Sequence, residues 1–145
     1  MNHAQHKGGF MSKARAGKEI HVVAENRLGT LADVSQWRAD KGVNLDSVCA
    51  YVDNSKAHFL FKTSDNKKAV EILKAKEMEE VREEEVVVVE MQDKVGMLKD
   101  MAKKLKSAEV DIKYLYGTAS SAPNAPATII FVAEDNKKAI QAING

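Results

Sequence analysis

Apolar residues recur along this chain with two different periods. Ile20 to Glu25 alternates apolar and polar positions and is rich in β-branched residues, and Val86 to Met91 is a nearly continuous β-branched run, so both read as strands. Leu98, Met101, Ala102, Leu105 and Ala108 fall instead at the spacing of one helix face. The stretch after Ile20–Glu25 is a less regular helix: Arg38 stands where Leu105 does, and the neighbouring Trp37 supplies apolar surface in its place. Val43 to Asp53 and Ala57 to Thr63 predict a hairpin turning through Asp53-Asn54-Ser55-Lys56, a run of turn formers. Asp111 to Gly117 and Ala127 to Ala133 predict a second hairpin, with a longer loop that holds Pro123 and Pro126.

These elements come in the same order twice. Asn26-Arg27-Leu28-Gly29-Thr30-Leu31-Ala32-Asp33-Val34 returns as Asp93-Lys94-Val95-Gly96-Met97-Leu98-Lys99-Asp100-Met101, pairing Gly29 with Gly96, Leu31 with Leu98 and Asp33 with Asp100. Val43-Asn44-Leu45 and Val110-Asp111-Ile112 then follow in unbroken register, and Asp65-Asn66-Lys67-Lys68-Ala69 recurs letter for letter as Asp135-Asn136-Lys137-Lys138-Ala139. Asp65 and Asp135 are natural N-caps for the second helix of each copy. The expected fold is therefore α+β, two βαββαβ units in tandem at 19–85 and 86–145, each an antiparallel sheet with helices on one face. The copies end differently. The acidic run Glu77 to Glu85 leaves room for a short fourth strand around Val81, whereas the second copy stops at Gly145 and is expected to lack a fourth strand. Its first strand would then show an open edge with no charge between Val86 and Val89, an aggregation hazard. A second copy of the chain is expected to cover that edge in a two-fold homodimer, with Glu77 to Glu85 as the intramolecular alternative.

Composition narrows the function classes. With 44% apolar and 30% charged residues the chain has a soluble, globular make-up, no run approaches the roughly 18 apolar residues of a membrane span, and no signal peptide is visible, so a cytoplasmic location is expected. The lone Cys49 excludes an internal disulfide and any CxxC site. Basic and acidic residues number 22 and 21, a net charge of +1, which leaves no overall field to draw nucleic acid or a membrane surface. Residues 1–18 hold Lys7, Lys13, Arg15 and Lys18 without an acid, carry Gly8, Gly9 and Gly17, and show no periodicity; they read as a disordered tail. His3 and His6 in that tail are half a metal site, so no metal or other cofactor is expected.

A repeated βαββαβ unit with glycine at its first strand-to-helix turn resembles the ACT domain family, small-molecule sensing modules of ferredoxin-like fold. The residues that carry the resemblance are Glu25 to Leu31 with Gly42-Val43-Asn44-Leu45, and Glu90 to Leu98 with Val110 to Ile112. Leu28 and Val95 stand where the family often has proline, and Glu109 replaces the glycine before the second triplet. The resemblance spans residues 19–145 and leaves no enzyme domain over, which points to a stand-alone tandem ACT protein, regulatory rather than catalytic. It implies a free amino acid as ligand, held by Asn26, Leu28, Gly29, Thr30, Leu31 and Asn44 in the first copy. In the second copy it implies Asp93, Val95, Gly96, Met97, Leu98, Asp111 and Tyr114. The physics of the loop agrees: backbone N–H groups at a helix start are unpaired and lie at the positive end of the dipole, where a carboxylate is stabilised, while Asn44 and Asp111 are placed to receive an ammonium group. Tyr114 and Tyr116 incline the ligand towards a branched or aromatic amino acid. The plainer alternative is that Gly29 and Gly96 only permit a tight turn and that Asn44 and Asp111 are structural.

Rival readings use the same strands. The RNA-recognition fold shares this element order, and Phe59 and Phe61 alternate as base-stacking aromatics do, but Ile20 to Glu25 offers no aromatic partner and both rings are expected in the core. A hydrolase that binds phosphate at the first loop has a faint match in Arg27. Catalysis through Cys49 would need an oriented partner, and only His21 and His58 lie in the folded region. A protein–protein interaction module without a ligand remains the alternative to an amino-acid sensor.

Overall fold

The computed structural model describes residues 12–76, 78–92, 95–118 and 125–145. Among them lie β1 (Ser12–Glu25), α1 (Thr30–Asp40), β2 (Leu45–Asp53), β3 (Lys56–Thr63), α2 (Asn66–Lys74), β4 (Glu80–Met91), α3 (Met97–Ser107), β5 (Ile112–Thr118), β6 (Ala127–Ala133) and α4 (Asn136–Asn144). The class is α+β with antiparallel pairing, β1 and β2 each against β3, and β4 and β5 each against β6. The chain divides into two units: residues 18–84, and residues 12–17 with 85–145.

In the first unit the strand order is β2-β3-β1-β4. The alternation in β1 and β3 sends Ile20, Val22, Ala57, Phe59 and Phe61 to one face, where Val34 of α1 and Ala69 and Leu73 of α2 close over them and Trp37, Met78 and Val81 pack at the margin. Each large apolar side chain so buried contributes about 1.5–3 kcal/mol, so this face sets the register of the sheet. Phe59 and Phe61 stack on each other, ring centroids 6.0 Å apart, beneath the helices and out of reach of a nucleic-acid base. The β2–β3 turn places Asn54 and Ser55 at φ 49° and 63°, the left-handed pair of a two-residue hairpin. Asp65 caps α2 by accepting from Lys68 N–H at 3.1 Å, and Asp135 caps α4 through Lys138 N–H at the same distance.

The second unit has the order β1-β4-β6-β5 and differs from expectation at its edge. Its fourth strand is present, supplied by Ser12–Gly17 at the start of β1 rather than by residues after α4. Ala14 sits in the core with Val87, Val89, Met97, Met101, Phe131 and Ile143. Its N–H donates to Asn144 Oδ1 at 2.8 Å, Asn144 Nδ2 donates to its carbonyl at 2.9 Å, and Arg15 pairs with Glu90 at 4.0 Å. Ser12–Lys18, expected as part of a tail, is therefore strand; residues 1–11 lie outside the described residues. The Val86–Val89 edge is accordingly occupied within the chain, which removes the open-edge argument for a dimer. The short strand expected around Val81 and the strand from Val86 are one continuous element, β4. Thus β1 and β4 each give one part to either unit.

Candidate ligand-binding site

Between the end of β1 and the start of α1 the chain must reverse, and Gly29 does so at φ 87°, a left-handed value that favours glycine. Thr30 closes the turn: its N–H and Oγ1 both donate to the Arg27 carbonyl, at 3.3 and 2.9 Å, and Asp33 N–H donates to the Gly29 carbonyl at 2.9 Å to start the helix. The second copy repeats this with Gly96 at φ 92° and Asp100 N–H on its carbonyl at 2.9 Å. A Cβ on either glycine would meet no atom within 4 Å, so the backbone angle and not a close neighbour demands glycine. Leu28 and Val95 are wholly exposed at the loop tips, Leu31 and Leu98 are half exposed, and Thr30 and Met97 are buried. Asn26 is exposed and tied by its N–H to the Ser55 carbonyl at 3.1 Å. Asp93 lies outside the described residues.

Asn44 and Asp111 are not gathered to these loops within a unit. Glu25 and Asp53 both lie across from Lys56, at the loop end of the sheet, whereas Leu45 lies across from Thr63 at the other end. The eight residue steps of β2 from Leu45 to Asp53 span about 26 Å. In the second unit Met91 faces Ala127 while Ile112 faces Ala133, again opposite ends. Asn44 and Asp111 share a structural task instead: their carbonyls accept Ser64 N–H and Glu134 N–H, each at 3.0 Å, and so fix the strand ends. Tyr114 and Tyr116 pack half-buried against Val86, Val88, Ile130 and Val132, on the opposite sheet face from the core under α3 and α4.

Beside the first glycine loop a cleft of about 330 Å³ opens within the first unit. Glu25 and Asp33 bring carboxylates to its wall, Arg27 and Lys76 bring cations, and Ala24, Trp37 and Met78 give it an apolar side, with Thr30 at the turn. Among the described residues of the expected set, Thr30 lies on this wall. The Lys76 ammonium lies 5.2 Å from the centre of the Trp37 ring, and Arg27 reaches Asp33 at 3.7 Å with both side chains exposed. Burial first, and Glu19 second, push the Cys49 thiol pKa up, which keeps it protonated at neutral pH.

No protein-family model matches the chain, and no curated protein does. Solved structures do. Protein BT0572 from Bacteroides thetaiotaomicron superposes with a TM-score of 0.81 at 25% identity, covering 90% of this chain and 88% of that one. The ligand-free regulatory subunit of aspartate kinase from Thermus thermophilus gives 0.62 at 18% identity, over 90% of this chain and 93% of that one. Aspartate kinase from Clostridium acetobutylicum gives 0.58 at 13% identity, and there the match covers 92% of this chain but 33% of the enzyme.

The chain shares the fold of the aspartate kinase regulatory subunit, the α+β fold that the ACT resemblance implies. The first unit holds a cleft whose wall carries both signs of charge next to an aromatic ring. An exposed pair such as Arg27–Asp33 contributes about 0.2–1 kcal/mol, so either partner can turn to a bound ligand at little cost. Sequence reasoning missed Lys76 and Met78 because they reach the loop from beyond the far end of α2, and it placed Trp37 only in the core of this unit. Among the described residues no helix is long and apolar enough to cross a membrane.

Proposed function

We propose that this chain is a regulatory module that binds a free amino acid in the cleft beside the first glycine loop and catalyses no reaction of its own. The observation that carries the reading is the juxtaposition of Arg27 and Lys76 with Glu25 and Asp33 around Trp37. The cations take the ligand carboxylate, the acids its ammonium group, and Trp37 with Met78 favours a branched or aromatic side chain. The regulatory subunit of aspartate kinase from Thermus thermophilus shares the fold, which supports a regulatory role. The exposed apolar tips, Leu28 and Leu31 in one copy and Val95 and Leu98 in the other, suit cover by a second copy of the chain, so the module acts as a homodimer.

A thermal-shift screen against the twenty amino acids tests this. A ligand at about a hundred times its dissociation constant stabilises the fold by about 2.7 kcal/mol, a shift of several degrees. Lys76→Ala and Asp33→Asn are expected to abolish the shift while leaving the unliganded Tm nearly unchanged, and Asn44→Ala is expected to keep it. No shift with any amino acid removes the sensor reading and favours an interaction module. Light scattering at micromolar concentration reads the assembly separately: a stable monomer excludes the homodimer.

A further inference from the structure

The sheet face of the first unit turned away from α1 and α2 carries a cluster of titratable side chains apart from the cleft. His21 on β1 is only 7% exposed, and its Nε2 lies 3.1 Å from Nδ1 of His58 on β3. Arg82 on β4 places Nη2 2.8 Å from the other ring nitrogen of His21, Nδ1. Glu84 lies 3.7 Å from that same Nδ1 and 3.9 Å from Arg82, which also pairs with Glu80. From β2, Tyr51 stacks flat on the His58 ring with centroids 4.7 Å apart, with Cys49 and Asp53 on the same strand, and Glu19 of β1 is fully buried.

These contacts fix the direction of the hydrogen bonds. A guanidinium only donates, so Nδ1 of His21 accepts from Arg82 and carries no proton. The proton of His21 then sits on Nε2 and is donated to Nδ1 of His58, which is likewise bare. The relay holds only while His21 is neutral: a second proton on that ring turns an N–H towards the Arg82 N–H. Burial first, then the Arg82 charge, hold His21 below its ordinary value of 6.5; His58 adds to this, and Glu84 opposes it.

We propose that Arg82, His21 and His58 form a proton-operated latch that fastens the first half of β4 to β1 and β3 at neutral pH and releases it in mild acid. The segment is also held by the sheet pairing of β4 with β1, by Val81 and Met78 on the core, by the Glu79 N–H to the Val23 carbonyl at 3.0 Å, and by the solvent-exposed pairs Lys56–Glu79 and Lys18–Glu83, which salt screens; the latch adds to these ties on the face away from the helices. The folded chain takes up the His21 proton less readily than the unfolded chain. Stability is therefore full above about pH 6.5 and is lost as pH falls below that towards the folded value. The chain entering β4 carries Lys76 and Met78 of the cleft, so release also loosens the cleft wall; this last consequence rests on the proposed function.

Imidazole nitrogen NMR of the full chain at about pH 7.5 is expected to show His21 protonated on Nε2 and bare on Nδ1. Amide-exchange protection at Val81 to Glu84 is expected to fall between about pH 7.5 and 5.5, by up to about tenfold per unit for one linked proton, while Ile129 to Val132 hold theirs. His58→Gln, or Arg82→Gln if the first variant folds poorly, is expected to make protection at Val81 to Glu84 insensitive to pH. A proton on Nδ1 of His21 at about pH 7.5, equal wild-type protection at the two pH values, or an unchanged pH response in both variants overturns the latch. Failure to bind any amino acid leaves these readouts as they are and counts only against the sensor reading.

Discussion

Gly29, Gly96 and Glu109 all hold a left-handed backbone, but only two of them are glycine. Glu109 follows α3 at φ 57°, where its N–H donates to the Lys106 carbonyl and Val110 N–H to the Leu105 carbonyl, the pair of bonds that usually ends a helix on glycine. Gly42 occupies the same place in the first copy at φ 72°. Removing the Cβ there relieves strain, so Glu109→Gly is expected to raise stability by about 1 kcal/mol, measured by denaturant unfolding. Gly29→Ala and Gly96→Ala are expected to cost about 1–2 kcal/mol each through backbone strain alone, and Gly96→Asn less, because asparagine tolerates this region. The sequence pattern located these turns correctly, and the backbone angle by itself is enough to require glycine at Gly29 and Gly96. The repeated pentapeptide is explained at the same scale. Besides the Asp caps, Asn66 accepts from Thr63 N–H and donates to the Lys18 carbonyl, while Asn136 accepts from Ala133 N–H and donates to the Glu85 carbonyl. Each asparagine joins two strands of its own unit.

Elements with strong periodicity were legible and the weakly apolar one was not. Ile20–Glu25, Val86–Met91, both hairpins and the helix α3 appear where their patterns put them; of the expected α3 face Met101 and Leu105 are buried, while Leu98 and Ala102 are exposed and Met97 is buried instead. Ser12–Gly17 buries only Ala14, so no apolar signal announces it; it is ordered by its neighbour β4 and by the side chain of Asn144, 130 positions away. The break placed within the acidic run of β4 failed similarly, since Glu83 to Glu85 lie where the strand passes from one unit to the other and need not alternate. Asn144→Ala leaves the Ala14 N–H and carbonyl without that partner and is expected to cost about 1–3 kcal/mol. A loss below a few tenths, read by thermal unfolding, would mean that the strand is held by other contacts.

At the scale of the molecule, the two units differ in how their chains are assembled. Residues 18–84 contain every element of the first unit in sequence order, whereas the second needs residues 12–17 from before the first. The cleft lies wholly in the contiguous unit, so a fragment of residues 18–84 is expected to keep it. The fragment 85–145 exposes the β-branched Val86–Val89 edge and is expected to aggregate or remain unfolded. The contact between Ala14 and Asn144 shows how to repair it: the start of the missing strand lies beside the end of α4. A permuted fragment running 85–145, a short glycine-serine linker and then 12–17 is expected to fold cooperatively as a soluble species, with Val87 and Val88 protected from amide exchange. Proline at Val87, which lies between two neighbours in the sheet, is expected to unfold this permutant rather than release a dimer of it. If 85–145 alone folds as well as the permutant does, the N-terminal strand is dispensable and the second unit is held together by its helices.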